Sequence, residues 1–522
     1  MSEPSSSENQ DHSGALAGDA LPQLVPHDAH NRALVDLVRP PDWVNPRPAD
    51  RYDLVVIGGG TAGLVAAAGA AGVGAKVALV EKQLLGGDCL NTGCVPSKAL
   101  LAAARTVAEV RRAGDFGVHV PEGVRVDFPA VMERMRRLRA KIGHHDSAER
   151  FRSLGIDVFL GAAEFVESGN AVRVGDSRLS FRKAVLCTGA RAAIPPIPGL
   201  AESGGLTNET LFSLTELPRR LVVIGGGPIG CEMAQAFARF GAQVTLYEAS
   251  SRLLPRDDPD ASLAVMHALR QDGVNLCCDA TVQHVATRSA EKVVVARVAG
   301  AERTDECDAI LVAAGRAPNV EGLNLAEAGV EVGRNGVQVD DCLRTTNRRI
   351  FASGDVCYPA RFTHAADFLS RIVVRNALFF GRQKASRLLI PWCTYTSPEV
   401  AHVGLLPEQA EQQGLQISTF TLDLSDVDRA VLEGESEGFV KVHVRKGSDR
   451  IVGATIVAAH AGDLISEIAV AIKNGVGLTG IGNTIHPYPT QAEAIRKLGD
   501  QYNRTRLTPF TRWVLKTILS FN

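Results

Sequence analysis

Aromatic residues are scarce, at 5% of the 522 residues, with only 3 Trp and 6 Tyr. That leaves too few rings for a base-stacking platform. Net charge is nearly absent as well. The 56 Lys and Arg stand against 58 Asp and Glu, a balance of -2, so the chain as a whole carries no basic footprint for nucleic acid. No window reaches the roughly 18 uninterrupted apolar residues of a membrane-spanning helix. The opening stretch MSEPSSSENQDHSGALAGDA has neither a basic start nor an apolar run, so no secretion signal is expected. Ten cysteines scattered through a chain that is 45% hydrophobic and 22% charged do not form a small disulfide scaffold. They read as reduced thiols of a cytoplasmic globular protein.

What is abundant is glycine, with 50 residues, and glycine at that density serves sharp turns and close backbone approaches. The length is about 3.5 times a typical domain, so several domains are expected. One pattern occurs twice. LVVIGGGTAGLVAAAGAAGVGAKVALVEK begins at Leu54 and LVVIGGGPIGCEMAQAFARFGAQVTLYEA begins at Leu221. Both read as strand, glycine turn, helix and strand, and both carry a glutamate at the same offset. Each has G-x-G-x-x-G after its first strand: Gly58, Gly60 and Gly63, then Gly225, Gly227 and Gly230. The first glycine permits the turn, the second lets the backbone approach a pyrophosphate, and the third lets helix and strand close up. The helix N-terminus then faces the phosphates. Glu81 and Glu248 follow the second strand, where a carboxylate accepts from a ribose 2'-hydroxyl. A carboxylate at Glu248 disfavours a 2'-phosphate, so NAD(H) is expected over NADP(H), although Arg252 and Arg256 lie downstream.

Between the two units lies GGDCLNTGCVPSK, with Cys89 and Cys94 five residues apart. In a regular helix five residues rise ~7.5 Å and turn ~140°. A disulfide needs Cα atoms closer than about 7 Å, so the pair requires an irregular turn, which Gly86, Gly87 and Gly93 can supply. Pro96 fits the first turn of a helix, and a helix start favours a thiolate. Two buried structural cysteines are the plainer alternative. No second Cys or His pair lies at ligand spacing, so no metal site is expected.

Two dinucleotide units around this cysteine motif resemble the class I pyridine nucleotide–disulfide oxidoreductases, over about residues 50 to 505, and the mercuric reductase-like branch in particular. The resemblance implies an α/β fold with two Rossmann-like, glutathione reductase-like domains and an α+β C-terminal dimerisation domain. The expected limits are a disordered or extended tail over 1–50, an FAD-binding domain over 51–195 and 317–388, and an NAD(P)-binding domain over 196–316. An interface domain over 389–505 and an amphipathic tail over 506–522 complete the chain. It further implies FAD in the first unit, a nicotinamide cofactor in the second, and a homodimer. RIFASGDV resembles the second FAD signature, which assigns Asp355 to the flavin's ribityl chain. VLCTGA and LVAAGRAPN resemble the crossover turns, with Thr188, Gly189, Gly315 and Arg316. Ala163 matches a backbone contact to adenine, Lys98 the lysine near flavin N5, and Glu232 its ion-pair partner. Cys94 would lie against the flavin, Cys89 would face the substrate, and two electrons would pass from NAD(P)H to a thiophilic or disulfide small molecule.

The C-terminal motif departs from the family's usual His-Pro-Thr-x-x-Glu, in which a histidine serves as acid/base for the partner subunit. The chain reads IHPYPTQAEA, so anchoring on Thr490 and Glu493 places Tyr488 in the histidine's position and His486 two residues earlier. A tyrosine there resembles the mercuric reductase branch. That branch's paired tail cysteines and N-terminal metal-binding module are absent from this sequence, and Cys277–Cys278 reads as strand packing. Three functions remain open: reduction of a thiophilic acceptor, a dihydrolipoamide dehydrogenase or glutathione-type reductase using His486, and a redox sensor that does not turn over.

Four smaller expectations complete the reading. Residues 31–38 form a short helix able to dock on the body. The basic run MERMRRLRAKIGHHDSAERFR is a solvated helix face, and His144 and His145 do not pair on a metal. Cys187, Cys231, Cys307, Cys342, Cys357 and Cys393 are packing residues. From Thr508 the chain forms an amphipathic helix, docked on its own dimer or, alternatively, touching a membrane surface.

Overall fold

The computed structural model describes residues 24–288 and 291–521. The Ser-rich, acidic opening stretch lies outside the described residues. The first glycine unit builds on β1 (Tyr52–Ile57) and β2 (Val77–Glu81), whose residues are almost all buried. Strands covered on both faces take continuous apolar runs instead of alternation, which is what LVVI and VALV are. β3 (Asp157–Leu160), β2 and β1 run parallel and continue into β6 (Ser177–Leu186). The hairpin of β4 (Ala163–Val166) and β5 (Ala171–Val174) extends β6 antiparallel. Ile350–Ala352 returns from far down the chain to pair with β6.

The second unit repeats the design on four parallel strands. Asn275–Cys277, Gln243–Tyr247, Arg220–Ile224 and Ala309–Val312 lie in that order. A three-stranded antiparallel sheet made from 280–307 follows the second of its helices. The C-terminal unit is a five-stranded antiparallel sheet covered by the helices Ala461–Asn474 and Glu493–Thr505. The expected class holds: two Rossmann-like units and an α+β C-terminal unit. The short antiparallel pair Ala190–Ala192 and Arg316–Pro318 joins the two crossover turns.

Within 24–50 the short helix expected near residues 31–38 is present and docked, and the stretch after it is extended but tied down, so this part of the tail is not disordered. α1 (Ala29–Val38) is capped by the Asp28 carboxylate, which accepts from Asn31 N at 2.8 Å. Asn31, Leu34 and Val38 are buried, a helical spacing that turns one face to the body. Trp43 Nε1 then donates to Val158 O at 3.2 Å, and Asn45 is bonded both ways to Leu160. The prolines break the segment without freeing it.

The basic run is also corrected. Its first part lies on α5 (Phe128–Gly143) and its end on the helix Ala148–Ser153, and two of its arginines are buried rather than solvated. Arg136 meets Asp28, and Arg139 donates to Asn31 Oδ1 at 2.7 Å and to Asn91 O at 2.6 Å. Of the six cysteines expected as packing residues, Cys187, Cys231 and Cys307 are buried, whereas Cys342, Cys357 and Cys393 are only partly so. Cys277 is buried and Cys278 partly exposed. No described helix is long and apolar enough to cross a membrane.

Candidate active site

The sulfur turn is built by glycine where glycine is required. Gly86 and Gly87 have φ of +87° and +55°, a left-handed conformation that other residues adopt at a cost. They start the five-residue helix α3 (Gly87–Asn91), which carries Cys89. Thr92 and Gly93 break that helix, and α4 (Cys94–Arg112) begins at Cys94. The break turns Cys94 back toward Cys89. Cys94 is exposed and Cys89 partly so.

Their titrations are pushed apart. The Cys89 thiol donating to the Cys94 sulfur pulls Cys94 below the ordinary thiol range, and burial opposes that shift. The Thr363 hydroxyl, 3.6 Å from Cys94 Sγ, and the Lys98 charge lower it further. Cys89 moves up, through the same hydrogen bond and through burial. Both directions favour the proton on Cys89 and the charge on Cys94. The N-terminus of α4 adds its partial positive charge at the thiolate.

One turn into α4, Lys98 Nζ donates to Glu232 Oε2 at 2.8 Å. Glu232 lies on the helix Pro228–Phe240 of the second unit, and its side chain is 5% exposed. Its other oxygen accepts from Tyr395 N at 2.9 Å, and the Tyr395 ring lies 4.5 Å from Lys98 Nζ. All three units therefore meet at this lysine. The sulfur turn is also tied to the crossover, since Arg316 pairs with Asp88 and lies 3.8 Å from Asp355. Burial raises the Asp355 carboxyl above its ordinary range, against the Arg316 charge.

The two glycine turns are near-copies. A Cβ at Gly58 would lie 2.4 Å from Cys187 O, and one at Gly225 would lie 2.5 Å from Ala313 O. At Gly63 and Gly230 it would fall 1.7 and 1.9 Å from the carbonyls of Gly58 and Gly225. These four positions are closed by the fold itself. Gly60 and Gly227 differ. Their φ values of −78° and −76° suit any residue, and a Cβ would meet only Gly87 Cα at 3.6 Å or nothing at all. The fold leaves them room that it does not use, as a cradle for a pyrophosphate does. Glu81 accepts from Gly59 N and Gln83 N at 2.6 Å each; Glu248 accepts from Gly226 N and Ser250 N at 2.7 Å each. Ala163 is buried at the start of β4. Thr188 Oγ1 donates to Asn319 O at 2.6 Å, and Gly189 O accepts from Asn319 N at 3.0 Å, which locks the two crossover turns together. Gly315, at φ +133°, ends the turn opposite. These residues fit a dinucleotide in each unit.

Of the C-terminal candidates His486, Tyr488 and Glu493, none bonds to another. His486 Nε2 lies 2.8 Å from Glu467 Oε1, and the imidazole is 7% exposed. Tyr488 is open to solvent, and its hydroxyl donates to Asp428 Oδ2 at 2.8 Å. Glu493 bonds to neither; it pairs with Arg496 and Lys497 on its own helix. Glu467, on the helix Ala461–Asn474, is the carboxylate that meets His486. Neither His486 nor Tyr488 reaches Cys89 or Cys94 within one protomer.

Residues 52–368 match the family model described as pyridine nucleotide-disulphide oxidoreductase, and residues 390–498 match that family's dimerisation domain. The chain belongs to the pyridine nucleotide–disulphide oxidoreductase family. Family members depend on FAD and take electrons from NAD(P)H. A mercuric reductase of Lysinibacillus sphaericus is 36% identical over 448 residues, 86% of this chain and 82% of that one. A dihydrolipoyl dehydrogenase of Chlamydia trachomatis serovar D is likewise 36% identical, over 85% of this chain and 95% of that one. Among solved structures, the Cu(II) complex of the HOCl-induced flavoprotein disulfide reductase RclA from Escherichia coli superposes with a TM-score of 0.76 at 30% identity. It covers 85% of this chain and 98% of that one. Among the described residues, no three His, Cys, Asp or Glu gather as a metal site. Thr363 beside Cys94, Tyr395 beside Lys98 and Glu467 beside His486 were not singled out from the sequence.

Proposed function

We propose that this oxidoreductase passes two electrons from NAD(P)H to a thiophilic or disulfide acceptor through Cys89 and Cys94. The observation that carries the reading is the polarised sulfur pair. Cys94 stands at a helix start with the Thr363 hydroxyl 3.6 Å from its sulfur, and the Cys89 hydrogen bond, Thr363 and the Lys98 charge draw its thiol below the ordinary range while Cys89 is pushed up. Bound FAD supplies the two-electron relay between nicotinamide and sulfur. Gly58, Gly60, Gly63, Glu81, Ala163, Thr188, Gly189 and Asp355 are the residues that would hold it. Gly225, Gly227, Gly230, Glu248, Gly315 and Arg316 would hold the nicotinamide nucleotide. Reduction opens the Cys89–Cys94 disulfide to the dithiol. With a disulfide acceptor, the Cys89 sulfur bonds to one acceptor sulfur as its proton leaves with the other as a thiol. The Cys94 thiolate then displaces the second thiolate as the Cys89–Cys94 disulfide re-forms, so the acceptor has taken both electrons.

NAD(H) is the favoured donor. The Glu248 carboxylate is fixed by two backbone N–H groups, and Arg252 is turned onto Pro255 O and Asp257 O. The working form is a homodimer through the C-terminal unit, and a dithiol that must be re-reduced suits the cytoplasm.

Tyr488 favours the mercuric reductase-like reading. A phenol with a pKa near 10, pushed higher here by the hydrogen bond to Asp428, is a poor proton shuttle for a thiol and leaves room for an acceptor that needs none. One observation favours a disulfide reductase instead. His486 and Glu467 form an imidazole–carboxylate pair of the kind that deprotonates a thiol. Anaerobic titration with NADH and with NADPH, followed by turnover with Hg(II), glutathione disulfide, lipoamide and quinones, decides between them. Turnover with Hg(II) that is insensitive to His486→Gln supports the first reading. Turnover with a disulfide that is lost in His486→Gln supports the second. A protein reduced by NADH that stalls with every acceptor is the redox sensor, and overturns both.

A further inference from the structure

The helix Pro509–Leu519 is the one described helix longer than ten residues with no buried residue. Phe510 is 71% exposed, Trp513 63% and Phe521 85%, with Leu515, Ile518 and Leu519 open beside them. The Phe510 and Trp513 rings stack at 6.1 Å on solvent. The apolar stripe Phe510, Val514 and Ile518 repeats at i, i+4 and i+8, while Arg512 and Lys516 form a second stripe bordered by Leu519 on one side and Trp513 on the other. Arg504 and Arg506 precede the helix, and no Asp or Glu follows Asp500. The tail thus carries four cations and no carboxylate side chain in a chain whose overall balance is -2.

An exposed apolar patch of this kind needs a covering surface. We propose that this helix lays the enzyme on an anionic lipid surface. The short, Thr508-capped helix lies in the interface plane, with Trp513 and Phe510 at headgroup level and the cations paired to lipid phosphates. The charge selects this occupant. The tail holds four cations and no carboxylate side chain, and an anionic bilayer accepts both those cations and the apolar residues. The matched dimerisation domain ends at residue 498, so the tail lies beyond the segment that builds the dimer. A homodimer would present two such helices, and simultaneous engagement multiplies a weak single contact.

The test uses the full-length FAD-loaded enzyme, floated with vesicles of equal parts phosphatidylcholine and phosphatidylglycerol, and with vesicles of phosphatidylcholine alone. Binding to the anionic vesicles should exceed binding to the neutral ones by about tenfold or more, and it should weaken with salt. Trp513→Ser with Ile518→Ser should abolish binding. Arg512→Glu with Lys516→Glu should remove the preference for anionic lipid. Ending the chain at Leu507 should abolish binding while the dimer mass and NADH oxidation in solution stay unchanged. Equal flotation of the truncated and full-length enzymes would overturn the proposal. So would absent flotation, and absent flotation with a truncated form that falls to monomer mass would assign the helix to a second copy of the chain instead.

Discussion

Lys98 and Glu232 are 134 positions apart and belong to different nucleotide units, yet their charged atoms stand 2.8 Å apart. The pair couples the helix that starts at the reactive sulfur to the helix that starts at the second glycine turn. Glu232→Gln keeps the acceptor for Tyr395 N but leaves Lys98 without its counter-charge. It should cost about 1.5–3 kcal/mol of stability. Reduction by NADH should slow more than the later transfer to an acceptor, as stopped-flow absorbance would show. Equal slowing of both steps would mean that the pair only braces the fold.

The thiolate on Cys94 gives a second expectation. A thiol whose pKa is depressed in the folded enzyme is ionised above that value and loses its charge as pH falls through it. The long-wavelength absorbance of a thiolate against flavin, developed on two-electron reduction, should therefore persist at neutral pH. Thr363→Val should move its titration toward the ordinary thiol range, because a donor to the thiolate is gone. Cys94→Ala should remove the band, and Cys89→Ser should keep it. Survival of the band in Cys94→Ala would reverse the roles of the two sulfurs.

Gly227 and Gly230 are three residues apart and should respond in opposite ways to one added methyl group. At Gly227 the fold has open space, so Gly227→Ala should fold normally, bind FAD and lose about tenfold or more in affinity for the nicotinamide nucleotide. At Gly230 the methyl carbon would lie 1.9 Å from Gly225 O, so Gly230→Ala should fail to accumulate as folded protein. Thermal unfolding and nucleotide titration of the pair separate a ligand cradle from a packing position. Unchanged nucleotide affinity in Gly227→Ala would argue against the cradle.

The C-terminal sheet carries a built-in acid sensitivity. His402 and His443 are buried, bonded to Thr455 Oγ1 and Thr419 Oγ1, and burial pushes both imidazoles down to about 4. An imidazole in the unfolded chain titrates near 6.5. Between those values the unfolded chain binds more protons, so stability is complete above about pH 6.5 and falls as pH drops toward 4. Each ring contributes up to about 3 kcal/mol across that window. His443→Gln should flatten the slope in denaturant unfolding measured from pH 7 to about 4.5; an unaltered slope would place the acid lability elsewhere.

Much of this was readable in the sequence, because the informative parts are local. A turn, a helix start and a carboxylate at a fixed offset need only neighbours along the chain, which is why the duplicated glycine units and the cysteine turn could be placed. The partners that complete the site are distant. Thr363 stands 269 positions from Cys94, and Tyr395 N is 163 positions from Glu232. Glu493 was named from motif spacing alone, whereas the fold brings Glu467 of the neighbouring helix to His486. The buried Arg136 and Arg139 misled for a related reason. A basic run reads as solvated until a second helix, here α1, arrives to cover it.

Arg139 holds Asn31 with one nitrogen and the carbonyl of Asn91 with the other. Asn91 closes the little helix that carries Cys89, so the head of the chain serves as a strut beneath the redox turn. Trimming the protein to start at the first nucleotide strand would leave the guanidinium with half its bonds, and would loosen the sulfur geometry from behind while every residue of the cysteine motif stayed in place.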